Sequence, residues 1–296
     1  MAAIGETTTG SLTDSLPLVI NQARITREYP DVIARVCMRV KLGENEGLSY
    51  EEIELAQLNA QSITETTIFD NPQQFADTLR TYTPTMTSIT TVVTDRTYRR
   101  LSKNVLAQMG QLAMNAMKRK QDEDGITTIQ AATTALGGAG VTLTSGHLSA
   151  GASRARQGNN VEPSMGPIHA VLQSYQAKDL QDELTSGIGT YVVPAGLTDE
   201  VYRKGFVGSV NSAFGANIWI DDNIVADVNT DAEGGVFPQE AIILVDGMGL
   251  HKESKRRPEY GGGADQIWLT MEYVFAERSP GNWLYSLLSD ATAPTS

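Results

Sequence analysis

Between residues 95 and 122 the apolar positions fall three and four apart. They are Tyr98, Leu101, Val105, Met109, Leu112 and Ala116, with Leu106, Ala113 and Met117 widening the stripe. That spacing keeps one face of a helix with about 3.6 residues per turn apolar, so a single long helix is predicted here. Thr94 or Asp95 offers a side-chain oxygen to the free N–H groups at its start. Lys118, Arg119 and Lys120 lie toward its other end, where the helix dipole favours cations. Gly125 is the expected stop or kink, although ITTIQAATTAL beyond it is able to carry the helix on to residue 136. A helix over 95–122 is about 42 Å long, well beyond the three or so turns of an average globular helix. By length alone, a core helix of a large enzyme and a scaffold helix fit equally well.

Elsewhere the period changes. TLRTYTPTMTSITTVVTD (78–95) is dense in β-branched residues and reads as a strand feeding the helix, with Pro84 at its start or at an edge. PIHAVLQ (167–173) is a short strand. Behind it, SYQAKDLQDELT is a helix capped by Ser174 and broken by Gly187 and Gly189. YVVPAG is extended, LTDEVYRKG is a short helix capped by Thr198, and FVGSVNSAFGANIWI alternates strand and turn. Residues 241–246 form an apolar strand. QIWLTMEYVFAE and WLYSLLSD are two more, split by the turn Ser279-Pro280-Gly281-Asn282. Residues 148–157 read as helical, and Gly137, Gly138 and Gly140 as a hinge. Residues 1–16 and the tail ATAPTS read as unanchored ends.

Charge adds a second pattern. The 296 residues carry 35 acids against 23 bases, a net charge of −12, which disfavours a dedicated nucleic-acid binder. Within 17–41 the charges are mostly basic (Arg24, Arg27, Arg35, Arg39 and Lys41), against Glu28 and Asp31. Within 42–79 there are eight acids (Glu44, Glu46, Glu51, Glu52, Glu54, Glu65, Asp70 and Asp77) and no lysine or arginine. So abrupt a switch suggests segments that meet complementary surfaces. With its Thr- and Gln-rich patches and the Asn71-Pro72 turn, 43–80 reads as a projecting loop. The single cysteine, Cys37, rules out an internal disulfide framework. No run approaches the length of a membrane span, and the start has no secretory signal pattern.

The search for chemistry returns little. His147, His169 and His251 lie in unrelated segments without metal-ligand spacing, and His169 reads as structural. Ser149 in GHLSAG lacks the GxSxG spacing of a nucleophile elbow. GGAG at 137–140 lacks the third glycine of a dinucleotide fingerprint. Asp227, Asn229, Asp231 and Glu233 imitate the start of a calcium loop, but Ala232 and Pro238 stand where that loop needs glycine and glutamate. Asp221, Asp222 and Asn223 are a polar turn or, with those acids, a metal site. Lys252, Lys255, Arg256 and Arg257 read as a solvated basic loop. No catalytic, cofactor or metal residue is assigned.

The order of parts resembles the major capsid proteins of tailed bacteriophages, which share the α+β Hong Kong-97-type fold. The stretches that carry the resemblance are NPQQFADTLRTYTPTMTSITTVVTDRTYRR, GPIHAVLQSYQAKDL, FGANIWIDDNI with GGVFPQEAIILV, and GADQIWLTMEYVFAERSPGNWLYSLLSD. The resemblance implies an N-terminal arm over 1–41 and an extended loop over 42–80. It implies a peripheral domain with the spine helix over 81–136 and 236–296, and an axial domain over 137–235. It further implies self-assembly as hexamers and pentamers into an icosahedral shell that encloses double-stranded DNA without reading its sequence. The expected partners are other copies, a separate scaffolding protein, a portal and decoration proteins, with no membrane. The place is the virion capsid, assembled in the host cytoplasm. Two alternatives are an encapsulin-like nanocompartment shell and a metal-dependent α+β hydrolase using the acids of 221–231. At the subunit interface, Glu51, Glu52 and Glu54 of the loop need a basic surface, either Arg24, Arg27, Arg35 and Arg39 or Arg96, Arg99, Arg100 and Lys103. Some relatives weld subunits through a loop lysine, and 42–79 contains none. Assembled particles boiled in detergent are therefore expected to run as one monomer band on a denaturing gel. A ladder of covalent oligomers is the contrary result.

Overall fold

The computed structural model describes residues 6–7, 27–43, 45, 47–66, 73–100, 103–187 and 215–294. The side chains of 6–7, 103–107, 160 and 184–187 lie outside that description. So do Arg24, the stretches YVVPAG and LTDEVYRKG, and most of FVGSVNSAFG.

Two five-stranded sheets make the body, and both are of mixed direction. The first has the order β1 (Glu6–Thr7), β5 (Thr85–Thr94), β11 (Ala264–Glu277), β10 (Ile242–Arg257), β2 (Met38–Lys41). Its three long central strands run antiparallel, and each short outer strand joins parallel to its neighbour. The second has the order β6 (Thr134–Gly137), β12 (Tyr285–Asp290), β9 (Asp231–Pro238), β7 (Ile168–Leu172), β8 (Asn217–Ile220). β3 (Tyr50–Leu55) and β4 (Asp77–Tyr82) form a separate two-stranded sheet. The helices are α1 (Ile33–Val36), α2 (Asp95–Arg100), α3 (Lys103–Gln130), α4 (Ser145–Gln157) and α5 (Ser174–Gly187).

α3 is the expected long helix, 28 residues and about 42 Å, but it runs eight residues further than 122. It begins at Lys103, not Asp95; Thr94 caps the shorter α2, taking the Thr97 N–H at 3.4 Å. Gly125 neither stops nor kinks it. This glycine is buried, and a Cβ placed on it would meet Ile33 Cγ2 at 2.8 Å. The missing side chain lets α1 lie directly on α3.

The buried seam of α3 also differs in phase from the expected stripe. Ala113, Met117, Asp122, Ile126 and Ile129 are buried, whereas Leu112 is 36% exposed, and Tyr98 on α2 is 60% exposed. Ala113 and Met117, which widened the expected stripe, lie at its buried centre, and Leu112 turns outward, about 100° of helix rotation away. The seam serves two sheets at once. It packs on β5 and β11 of the first and on β9 and β12 of the second. One core joins Met117, Ile126 and Ile129 to Leu244, Met271 and Phe275 of the first sheet and to Val171 and Phe237 of the second. A second core lies between α4, α5 and the second sheet, around Leu148, Leu180, Ala170 and Val236.

Other expectations shift in informative ways. The strand over 78–95 is two strands, β4 and β5, parted at a buried Pro84. The basic run 252–257 is not a loop but the outer half of β10, paired from Lys252↔Leu269 to Arg257↔Ala264. Both of its faces are largely exposed, so no apolar alternation marked it as strand. Gly137 is not a hinge but the end of β6, where a Cβ would meet the Leu288 carbonyl oxygen at 2.3 Å. α5 starts at Ser174, yet its cap comes from elsewhere in the chain. Asp222 Oδ1 accepts the Ser174 N–H at 3.0 Å.

The two glycines inside α3 give opposed expectations. Gly110 has nothing within 4 Å of an added Cβ, so Gly110→Ala gains about 1 kcal/mol of helix propensity. At Gly125 the same gain is outweighed by forcing apart two packed helices, about 1–3 kcal/mol. Thermal unfolding of the unassembled chain is expected to rise for Gly110→Ala and fall for Gly125→Ala.

Candidate assembly interface

The β3–β4 hairpin is a sheet of its own, and its two faces differ. The register pairs Tyr50 with Tyr82, Glu52 with Arg80 and Glu54 with Thr78 on one face. On the other it pairs Glu51 with Thr81, Ile53 with Leu79 and Leu55 with Asp77. Side chains alternate along a strand, so each set shares one side of the ribbon.

The first face is tied to the body. Tyr50 and Tyr82 stack at 6.2 Å. Glu54 pairs with Arg80 at 3.0 Å, and both carboxylate oxygens of Glu52 accept from Arg278 Nε at 2.9 Å. Beyond β3, Gln57 Nε2 donates to the Val161 carbonyl at 2.5 Å. Burial, followed by the charge of Glu54, pushes the nearby Glu162 carboxyl above its ordinary range. Arg278 holds the hairpin to the body, while Arg80 ties its two strands to each other.

The second face has no cover. Ile53, Leu55 and Leu79 are 62%, 68% and 58% exposed, with the exposed Glu51 and Asp77 at the ends of the same face. The pattern is an apolar strip with an acidic rim. YEEIEL carried its signal, because Ile53 and Leu55 alternate with acids, but the charge run masked the period of two.

A groove of about 550 Å³ lies between α3 and the first sheet. Met114, Met117, Met248, Leu250, Met271 and Tyr273 give it apolar walls, and Arg39, Lys41 and Lys118 bring bases to it. Asp246, which pairs with Arg39, and Glu272 are its acids. Methionine walls adapt to irregular apolar partners. The groove is therefore the chemical complement of the hairpin's outer face.

The sequence-selected charges fall in different places. Arg39 and Lys41 reach this groove, but Arg35 pairs within the chain with Asp31 at 3.0 Å, and Arg27 is exposed. Arg96, Arg99 and Arg100 are exposed on α2, at the opposite end of the first sheet beside the β10–β11 turn. Glu52 and Glu54 have partners in their own chain, whereas Glu51 faces outward. Arg24 and the side chain of Lys103 lie outside the described residues. The apolar strip and the methionine groove were not anticipated.

The residues weighed for chemistry have local duties. His169 Nδ1 accepts from Trp219 Nε1 at 3.1 Å, and burial pushes its pKa below the ordinary value. His147 Nδ1 takes the Thr144 N–H at 3.3 Å at the start of α4, and Ser149 is exposed within that helix. His251 lies 3.3 Å from Glu253 on β10. Asp227 Oδ1 accepts the N–H groups of Asn229 at 2.8 Å and Asp231 at 3.0 Å, which makes a turn. Among the described residues no three His, Cys, Asp or Glu side chains gather as metal ligands.

No family model matches the chain, and no curated protein matches it in sequence. Solved structures do match, over nearly its whole length. A chain from the head structure of Helicobacter pylori bacteriophage KHP40 gives a TM-score of 0.72 at 11% identity, covering 98% of this chain and 99% of that one. The fold is the phage shell fold. It is α+β and of the Hong Kong-97 type. A chain from Mycobacterium phage Che8 gives 0.65 at 18% identity over 94% and 97% of the two chains. A chain of the holo-SrpI encapsulin complex from Synechococcus elongatus gives 0.59 at 12% identity over 93% and 95%.

The Glu52–Arg278 pair allows a direct test of how the hairpin is held. A part-buried, charge-assisted bidentate contact contributes roughly 1.5–3 kcal/mol. Arg278→Met is expected to raise cleavage within 56–76 by limited proteolysis about tenfold or more. The thermal midpoint of the body should move little.

Proposed function

We propose that the chain is the major capsid protein of a tailed bacteriophage, a structural subunit that assembles with itself into an icosahedral shell around double-stranded DNA. The observation that carries this reading is the end-to-end correspondence with phage capsid chains, for example 98% of this chain with 99% of the KHP40 chain. Under this reading 1–41 is the arm, 42–80 the extended loop, 81–136 with 236–296 the peripheral domain around α3, and 137–235 the axial domain. The chain has no catalytic turnover and belongs to the virion, assembled in the host cytoplasm. Its partners are hexamer and pentamer neighbours, with a scaffolding protein, a portal and decoration proteins as further partners.

The contact that would join copies is the hairpin's outer face, with Ile53, Leu55 and Leu79 set into the methionine groove of a neighbour. Glu51 and Asp77 then lie near Lys41 and Lys118. Arg96, Arg99 and Arg100 remain as a second basic surface for other loop acids. A nanocompartment shell is the second reading, favoured by the match to the SrpI encapsulin complex. Particle contents separate the two, since a phage head packages nucleic acid and a nanocompartment holds protein.

The test is the double variant Ile53→Asp with Leu79→Asp, expressed beside wild type and imaged by negative-stain electron microscopy. Wild type is expected to give closed shells or capsomers. The variant is expected to keep its circular dichroism and thermal midpoint, because both positions are exposed in the single chain, yet form no shells. Shells from the variant would remove the hairpin face from the interface. Small uniform oligomers from wild type would remove the shell reading itself.

A further inference from the structure

Asp122 and Asp221 are both fully buried, and they share one pocket. Asp122 comes from α3. Its Oδ1 accepts the N–H groups of Val32 at 2.9 Å and Ile33 at 3.0 Å, the first amides of α1. Its Oδ2 accepts Asn223 Nδ2 at 2.8 Å. Asp221 follows β8, and its Oδ1 accepts the Asn223 N–H at 3.0 Å. Asn223 thus touches both carboxyl groups. Asp221 Oδ2 is buried and has no hydrogen-bond partner.

Among the described residues no lysine or arginine pairs with Asp122 or Asp221. α3 presents Asp122, and the turn itself adds Asp222, whose Oδ1 is engaged with the Ser174 N–H. α1 presents only backbone amides, and β7 the Leu172 carbonyl, which takes the Asp221 N–H at 2.9 Å. Among the described residues no lysine, arginine or histidine acts on Asp221. Two carboxylates in a dry pocket repel strongly, and an unpaired buried charge is costly. Both oxygens of Asp122 already accept donors. The atom free to carry a proton is Asp221 Oδ2.

We propose that Asp221 carries a proton on Oδ2 beside Asp122, and that the two side chains with Asn223 form a latch that ties α1 to α3 and to the β8–β9 turn, released as that proton is lost in alkaline solution. Release moves the proton from Asp221 Oδ2 to hydroxide, forms water and leaves two carboxylates facing each other. Asn223 cannot neutralise both, so repulsion acts on the contact that orients α1. From α1 the chain passes through Cys37 into β2, which carries Arg39 and Lys41 of the groove. The latch therefore acts on a groove wall through α1 and β2. It does not depend on the shell reading.

The sign follows from burial. Desolvation, then the neighbouring Asp122, pushes the Asp221 carboxyl up to about 8. The folded chain holds the proton more tightly than the unfolded chain does. Stability from this group is complete below the ordinary carboxylate range, declines as pH rises, and is lost above about pH 8.

The experiment is thermal unfolding of the full chain between about pH 5 and about pH 9 at fixed ionic strength, for wild type and Asp221→Asn. The asparagine keeps the shape, cannot ionise, and offers an N–H where the proton sat. The wild-type midpoint is expected to fall by about 4 °C or more relative to the variant across that range. Parallel curves would overturn the proposal. Should Asp221→Asn fail to fold, wild type alone decides. Its infrared spectrum should show a protonated-carboxyl band at neutral pH that disappears through about pH 8, while the Val32 and Ile33 amides lose exchange protection. Absence of that band at neutral pH would equally overturn the proposal.

Discussion

α1 and α3 approach until Ile33 occupies the place of a side chain at Gly125, and most of the architecture depends on that contact. A single turn of helix cannot hold itself in water, because nucleation costs more than so few bonds return. α1 is held from outside. Asp122 supplies the acceptor for its first amides, and Gly125 supplies the space. With α1 fixed, β2 enters the first sheet alongside Ile243–Asp246, and the chain leaves the body toward the hairpin. A polar group and a missing side chain, one turn apart on α3, therefore set the direction of everything upstream.

The hairpin follows the opposite logic. Two strands alone are marginal in water, and this pair hides only one face, with ion pairs beside a small core of Tyr82, Ile243 and Val245. Glu52–Arg278 fixes where it points, and Glu54–Arg80 braces its two strands, without covering the apolar residues of the outer face. Ile53, Leu55 and Leu79 stay exposed in the single chain. A segment arranged this way keeps its orientation while leaving hydrophobic free energy unspent until another surface covers it.

How much of this the sequence disclosed depends on where the partner of each residue sits. The long helix was legible because its apolar period is internal to it. Its phase was not, since Ala113, Asp122 and Gly125 are buried through close approach by other elements and not through their own hydrophobicity. β7 and β12 were legible as apolar runs, but the outer half of β10 was not, because strand pairing alone holds it there. The cap of α5 lies 48 residues away in Asp222, beyond any local pattern. For the candidate interface, counting charges found the acidic loop but overlooked Arg80, one residue past the stretch without bases. It also overlooked Arg278, which is close only in the fold. The alternating Ile53 and Leu55 were the readable sign of an open face.

The charge of the chain constrains how copies can join. Each carries −12, so bringing them together works against a repulsion that salt reduces, with a Debye length near 10 Å at about 0.1 M. Ion pairs at the groove rim respond the other way, each contributing about 0–1 kcal/mol and weakening with salt. Burying three side chains, each already about one-third covered in the free chain, returns roughly 1–2 kcal/mol apiece and is insensitive to moderate salt. In the proposed contact the apolar strip therefore supplies most of the attraction, and the rim charges chiefly fix the register. Against the cost of immobilising a subunit, one such contact is weak. Several per subunit, closed into a ring, are not. Surfaces that join two copies poorly and many copies well let single chains stay apart until a closed assembly can form.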